Sequence, residues 1–311
     1  MTMTKTFHTE AFTTSEARAA AAALPKAERQ EMIKTLLYRY PVFKNGVSFI
    51  ESFHRPAGGT DHDTGAIGGL LGESRAGKTI ICRYFASLHP NGITAGAETY
   101  PIVYLEATEQ MAPSHMAERL YFLTGARSVP HIKTNALMDN AILRMAAAKT
   151  QLLIIDDAQF LLTDRPTPQI KAFRGFLKSM ADANRFNVLL VGEERLHGII
   201  HEMAAIANRG GFYCETVKPM GDSENEFEMF RLLLDKIDER LPFAAPSKLE
   251  VWAKDFHHYS SGKIGRLMNL IGRAGLMALS QDTGRIMVEH LREVVNRMRA
   301  PGDRYPYFEK G

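Results

Sequence analysis

The sequence predicts an α/β fold, a parallel, doubly wound sheet followed by a small all-helical domain. Short apolar runs that read as buried strands alternate with stretches of helical periodicity, as βαβ crossovers require. The first of these runs, AIGGLLG at 66–72, leads into a glycine-rich turn that opens a helix. After VKPMGD, residues 217–222, the strand signal ends and helical patterns alone remain.

Each element follows in order. Residues 1–24 are polar and threonine-rich up to the alanine run Ala19 to Ala23, which reads as plain helix. LPKAERQEMIKTLLYRYP places apolar residues at Met32, Leu36 and Leu37 and predicts a leading helix that Pro41 ends. Arg55 to Gly65 is dense in turn formers and predicts a surface loop. The helix that begins at Lys78 carries Ile80, Ile81, Tyr84 and Phe85 and stops near Pro90. PIVYLEA, Pro101 to Ala107, predicts a second strand, and APSHMAERLYFLTG a helix ending at Gly125. Thr134 is placed to cap the next helix, whose Leu137, Ala141, Met145 and Ala148 fall at helical spacing. QLLIIDDAQFL is a buried strand that ends in two carboxylates. A helix over Pro168 to Ala183 and the strand NVLLVG, Asn187 to Gly192, add a further unit.

Four helical stretches follow, around 223–240, 246–258, 262–280 and 284–299. Trp252 reads as core, as do Met220, Met229, Met268, Met277 and Met287 on these helices. The tail APGDRYPYFEKG holds two prolines and two glycines and is expected to be extended or disordered. The expected organisation is an extension over 1–24, an α/β domain over 25–218, a helical lid over 219–299 and a tail over 300–311. A length of 311 residues accommodates one large domain and a smaller appendage.

Composition excludes several classes. Hydrophobic content of 45% and charged content of 23% are those of a globular chain, and no segment approaches the run of ~18–20 apolar residues that spans a bilayer. No membrane partner is expected, and the N-terminus lacks the apolar core of a signal peptide. Cys82 and Cys214 stand in no metal-ligand or disulfide spacing, which fits a reducing cytoplasm. His257 and His258 are adjacent but lack a third ligand for a metal. A net charge of +3 permits a nucleic-acid partner without demanding one.

The chemistry concentrates in two motifs. GESRAGKT satisfies GxxxxGK[ST] at Gly72, Gly77, Lys78 and Thr79, between an apolar strand and a helix, which is the context the pattern needs. The expected nucleotide-binding run is Gly72, Glu73, Ser74, Arg75, Ala76, Gly77, Lys78, Thr79 and Ile80. Backbone N–H groups there curl around phosphate at a helix N-terminus, Lys78 reaches the β and γ oxygens of ATP, and Thr79 ligates Mg²⁺. LLIID, Leu152 to Asp156, is an apolar strand ending in an acid: Asp156 is placed to hold the Mg²⁺ shell and Asp157 to orient and polarise the attacking water. The plainer reading of this acid pair is a cap on the next helix.

With these motifs in place the chain resembles the transposon-encoded AAA+ ATPases of the TniB/TnsC type, relatives of the IstB helper proteins. The resemblance rests on LPKAERQEMIKTLLYRYPVFKNGVSFIESF ahead of GESRAGKT, on LLIIDDAQFLL, on NVLLVGEERL and on SGKIGRLMNLIGRAG, and covers about residues 24–280. It implies an ATP-dependent regulator of transposition that assembles on double-stranded target DNA as a ring or helical filament of identical subunits. Such a protein links a TniQ-like target selector to the transposase, with hydrolysis driving disassembly. It further implies an in-trans arginine at Arg209, whose plainer reading is a surface arginine or a partner of Glu215. A second arginine, Arg266, falls at the start of a lid helix, with Lys263 as its rival and a solvated helix end as its plainer reading. Two departures matter: the family usually has Glu where Asp157 stands, which implies slow hydrolysis, and Glu193 replaces the polar Thr or Asn usual after the strand glycine.

Two rival functions share the residues, a replication helicase loader or initiator and an ATP-locked DNA-binding scaffold with little turnover. Phosphate release with and without DNA separates scaffold from ATPase. For DNA, the helix after the second motif sets Ile170, Phe173, Leu177 and Met180 on one face and lines up Lys171, Arg174 and Lys178 beside it as a basic stripe. That stripe is the expected DNA contact; a solvated helix face, the loop Thr108 to His115 and the loop Arg127 to Lys133 are its alternatives.

Overall fold

The computed structural model describes residues 7–54, 65–203 and 211–309. The chain forms α1 (Ser15–Ala23), α2 (Lys26–Thr35), α3 (Pro41–His54), β1 (Ile67–Leu71), α4 (Lys78–Ser87), β2 (Gly92–Thr94), β3 (Ala97–Thr99) and β4 (Ile102–Glu106). Then come α5 (Pro113–Leu123), α6 (Thr134–Ala147), β5 (Leu152–Asp156), α7 (Gln159–Leu162), α8 (Thr167–Ala183), β6 (Asn187–Gly192), α9 (Leu196–His201) and β7 (Tyr213–Thr216). The remainder is helical: α10 (Glu224–Asp238), a 3-10 turn (Leu249–Trp252), α11 (Ala253–Ser260), α12 (Ile264–Ser280) and α13 (Val288–Met298).

The chain divides into two compact units, residues 41–218 and a second made of 7–40 together with 219–309. In the first unit five parallel strands run in the order β4-β5-β6-β1-β7. The chain starts at β1 inside the sheet, crosses to the edge at β4, walks back through β5 and β6, and finishes on the other side of β1. The order therefore reverses at β1, and the carboxyl ends of strands beside such a reversal are where open α/β sheets bind ligands. Register aligns those ends: Leu71 pairs with Gly192 and Thr216, and Glu106 with Asp156.

Side chains alternate across the sheet. Val103, Leu105, Leu153, Ile155, Val188 and Leu190 join a core built with α5, α6 and α8, through Leu120, Met145, Phe173 and Phe176 among others. On the other face α3 packs on α4, with Phe43, Ile81 and Phe85 essentially inaccessible to solvent. Every residue of β1, β5 and β6 is buried, as expected for parallel strands covered on both sides.

Several local expectations are corrected. Pro41 opens a helix rather than closing one: α2 stops at Thr35, and Pro41 is the first residue of α3, where its missing N–H would have no intrahelical partner anyway. Thr134 is the first helical residue of α6 and makes no side-chain cap. The strand Tyr213–Thr216 and the hairpin β2–β3 were not legible in the pattern. The predicted surface loop falls almost wholly on 55–64, outside the described residues.

The second unit departs most from the expected organisation. Residues 25–40 group with the C-terminal helices instead of the α/β domain. Arg29 Nε donates to the Pro242 carbonyl at 2.9 Å, the His8 ring lies 2.8 Å from the Arg240 carbonyl, and Ile33 fills the space over Gly275. The tail is docked through residue 309. Phe308 is fully buried, its N–H donates to Asp255 at 2.8 Å, and its carbonyl accepts from Arg292. Tyr305 stacks on His258 with ring centroids 3.9 Å apart. Trp252 is half-buried, edge-on to Phe308, while Met229 is 43% exposed and so is not core.

Candidate nucleotide-binding site

The loop after β1 is shaped by its glycines. Gly72 has φ 147°, and a Cβ there would sit 2.4 Å from the Val217 carbonyl; Gly77 has φ 110° and precedes the first turn of α4. A side chain at either place would be strained, so the backbone approach is open only to glycine. We expect Gly72→Ala to lower the melting temperature by several degrees and to abolish protection by ATP, since Val217 is held by its own N–H bond to Leu71 at 2.8 Å and cannot yield cheaply. A melting curve equal to the unaltered protein's would show that the loop shifts freely.

Lys78 is buried at the head of α4, and its Nζ donates to the Gly72 carbonyl at 2.8 Å and the Glu73 carbonyl at 2.7 Å. Burial pushes its ammonium pKa down, while Asp156, Asp157 and Glu193 act to keep the charge. The ammonium is folded back over the loop, within the loop's own span, and three carboxylates lie close enough to affect it.

Asp156 is buried at the end of β5, one alternation beyond Ile154 on the α4 face. Burial raises its carboxyl above the ordinary range, and hydrogen bonds from the Tyr104 phenol and the Thr79 hydroxyl oppose that rise. Thr79 and Asp156, the two expected Mg²⁺ ligands, are thus brought together by α4 and β5. Asp157 follows with φ 55°, in the left-handed region that Asp and Asn tolerate better than most residues. Its N–H donates to Asp156 Oδ1 at 3.0 Å, and its Oδ1 accepts from Gln159 Nε2 at 3.1 Å. The plainer cap reading does not describe the geometry: Ala158 precedes α7, and no side-chain cap is made there.

Tyr104, Arg83 and Glu106 complete the polar network, and sequence reading missed them. Arg83 bridges to Glu106 at 3.2 Å and lies 5.6 Å from the Tyr104 ring centroid. Burial, then the Asp156 charge, push the Tyr104 phenol upward, so it remains a donor. Its only sequence signal is position: Tyr104 and Glu106 share a face of PIVYLEA, but the register against LLIID is tertiary information. Glu193 is ion-paired with Arg195 at 2.7 Å, and Arg195 also reaches Asp164 at 2.9 Å.

Of the other expected residues, Arg209 lies outside the described residues. Arg266 is exposed near the start of α12 in the second unit, its guanidinium 5.1 Å from the Tyr259 ring centroid. On α8, Lys171 and Lys178 are exposed, whereas Arg174 is half-buried with an enclosed Nε. Phe173, Leu177 and Met180 are buried and Ile170 is partly so. The rival loop at 108–111 is pinned by Arg165, which donates to the carbonyls of Thr108 and Met111 at 2.9 and 2.6 Å. Both cysteines are free thiols, and among the described residues no helix is long and apolar enough to cross a membrane.

A parallel sheet with a glycine phosphate loop on its reversal strand, joined to a C-terminal helical region, is the architecture of the AAA+ proteins of the ORC and Cdc6 kind. The ORC1 protein of Aeropyrum pernix in complex with DNA superimposes with a TM-score of 0.57 at 14% identity, over 84% of this chain and 65% of that one. The ORC2 protein of the same organism, in its ADPNP–ADP complexes, gives 0.60 at 14% identity over 85% and 68%. Drosophila ORC bound to DNA gives 0.53 at 14% identity over 90% and 67%. The chain thus spans just under two thirds of the ORC1 chain. No curated protein matches it by sequence. Residues 66–217, just under half of the chain, match the family model described as bacterial TniB protein, and over this segment the chain is similar to TniB-type AAA+ proteins.

Proposed function

We propose that the protein is an ATP-dependent regulator of DNA transposition. ATP-bound copies assemble on double-stranded target DNA as a ring or helical filament, link a TniQ-like selector to the transposase, and come apart on hydrolysis. The observation that carries this reading is that the TniB match encloses both the phosphate loop and the Asp156–Asp157 strand end.

The residues present suit ATP with Mg²⁺. The loop from Gly72 to Thr79 supplies backbone donors that its two positive-φ glycines leave uncovered, Lys78 supplies a cation, and Thr79 with Asp156 supplies the oxygen donors a hard divalent cation prefers. Bound Mg²⁺ would neutralise charge that develops on the phosphate oxygens. Asp157 would orient the attacking water and accept its proton. Arg209, supplied by a neighbouring subunit, and Arg266 retain stabilising roles that the family resemblance carries. Glu193, paired with Arg195, is an acceptor where the family resemblance has a Thr or Asn donor, in keeping with slow turnover.

Imaging the protein with duplex DNA, Mg²⁺ and a non-hydrolysable ATP analogue tests the core of this reading. Regular oligomers on DNA that require the nucleotide are expected. Single subunits under those conditions would overturn it. Fold likeness to ORC favours one second reading, a replication initiator or helicase loader. Recovery of a replicative helicase in place of transposase from native assemblies would select it.

The DNA contact is proposed along α8. Replacing Lys171, Arg174 and Lys178 with Gln should weaken DNA binding equally across sequences and reduce the slope of log K against log salt by roughly one for each phosphate left without its cation. Nucleotide binding without DNA should not change. An affinity and salt slope equal to the unaltered protein's would move the DNA-facing surface to 108–115 or 127–133.

A further inference from the structure

The Gln159 side chain is almost wholly buried, and its two amide ends meet different surroundings. Nε2 donates to Asp157 Oδ1 at 3.1 Å. An ionised carboxylate only accepts, so the NH₂ end of the amide must face Asp157. Oε1 is then turned the other way, enclosed and with no hydrogen-bond partner among the described residues. It lies in the corner at Gly192, where a Cβ would come within 2.3 Å of it and within 2.7 Å of Leu196 Cδ1.

A side chain that only filled space here would leave no acceptor unpaired; leucine or methionine would do it without that penalty. What the amide adds is one donor on one carboxylate. Asp157 needs such a support, because it sits on a turn with φ 55° and no hydrogen bond but that from Gln159 to its carboxylate is found among the described residues. The support is itself anchored: Ala158 N–H donates to the Val191 carbonyl at 2.9 Å, and the Gly192 carbonyl accepts from Gly72 N–H at 3.1 Å. The Asp157 turn and the phosphate loop are therefore both stitched to the end of β6.

We propose that Gln159 is a positioning residue, which through its amide fixes the Asp157 carboxylate in the orientation that aims water at the nucleotide, in a niche that exists because residue 192 is glycine. The proposal rests on the hydrolytic role given to Asp157 above. On this proposal Gln159 acts through Asp157 alone, since its one side-chain hydrogen bond among the described residues goes to that carboxylate.

That restriction makes the test sharp. Steady-state ATP hydrolysis is measured on duplex DNA with the full chain. Gln159→Met keeps length and volume but removes the donor, and kcat should fall about tenfold with KM for ATP within about twofold, since the lost interaction matters to the reacting arrangement and little to binding. In the Asp157→Asn background the same change should do nothing further, because the carboxylate it serves is gone. Gly192→Ala, which keeps Gln159 but closes its niche, should reproduce the loss of kcat, and it serves equally if Gln159→Met fails to fold. An unchanged kcat in both variants, or losses that multiply in the double variant, would overturn the proposal while leaving the hydrolytic role of Asp157 standing. No turnover by the unaltered protein with DNA and Mg–ATP would overturn that role and this proposal with it.

Discussion

ATP affinity of Lys78→Ala is expected to fall by roughly 10–100-fold, and ATP-dependent assembly on DNA should be lost with it. A hydrogen bond to a charged group contributes about 1.5–3 kcal/mol, and each 1.4 kcal/mol is a factor of ten in affinity. In the structure the Lys78 ammonium is held by two carbonyls of the loop it closes, at 2.8 and 2.7 Å. Phosphate must take over those donors, so the interaction is exchanged when nucleotide arrives. The fold should survive the substitution. Alanine is the best helix former for the first residue of α4, and removing an ammonium whose pKa burial depresses also removes a desolvation penalty. Titration with a fluorescent ATP analogue, alongside a melting curve, separates lost binding from lost folding. Nucleotide-driven assembly equal to the unaltered protein's would sink the proposed switch.

Hydrolysis by Asp157→Asn should fall by about 10²–10⁴, the usual worth of a positioned general base, while ATP binding stays intact. Asparagine is isosteric and accepts the left-handed backbone that Asp157 adopts, so the turn between β5 and α7 should be kept. The consequence is kinetic trapping: oligomers formed with ATP on DNA should outlast those of the unaltered protein in a dilution or competitor-DNA chase. Because Lys78, Thr79 and Asp156 are untouched, Mg²⁺-dependent nucleotide protection should remain. Faster disassembly, or unchanged phosphate release, would remove Asp157 from the proposed chemistry and direct attention to Glu106, a further carboxylate, paired in register with Asp156.

Much of the first unit was legible because its signals are local. LLIID and NVLLVG are apolar but for Asp156 at the end of one and Asn187 at the start of the other, and all their residues prove buried. Parallel strands covered on both faces have to read that way. GESRAGKT was legible for a stricter reason: its glycines answer to backbone angles, 147° at Gly72 and 110° at Gly77, that other residues seldom adopt. The strand Tyr213–Thr216 escaped notice, since at four residues with mixed exposure it carries neither an alternation nor an apolar run. Tyr104, Arg83 and Gln159 escaped for a different reason. A tyrosine in a strand, an arginine on a helix and a glutamine after two aspartates are ordinary until the β4–β5 register places one phenol on Asp156 and the turn after β5 places one amide on Asp157.

What the sequence determined by itself was therefore the kind of the longer elements, such as β1, β5, β6, α4 and α8, and the chemistry at the ends of β1 and β5. Periodicity and turn stereochemistry act within a dozen residues, and those features need nothing longer. Tertiary structure alone decided the strand order, with β1 between β6 and β7, and hence which carboxylates share an edge with the phosphate loop. It also decided that residues 7–40 fold with 219–309. That choice depends on Arg29 meeting the Pro242 carbonyl and Ile33 meeting Gly275, pairings between segments more than 200 residues apart. The tail was decided in the same way. Proline and glycine content describes a chain without partners, whereas Phe308 has a pocket between Trp252 and Phe256 and a carboxylate, Asp255, for its N–H. Burying that ring and satisfying the N–H outweigh the entropy of ordering a few residues, a balance set by the surface the tail finds and by nothing in its own composition.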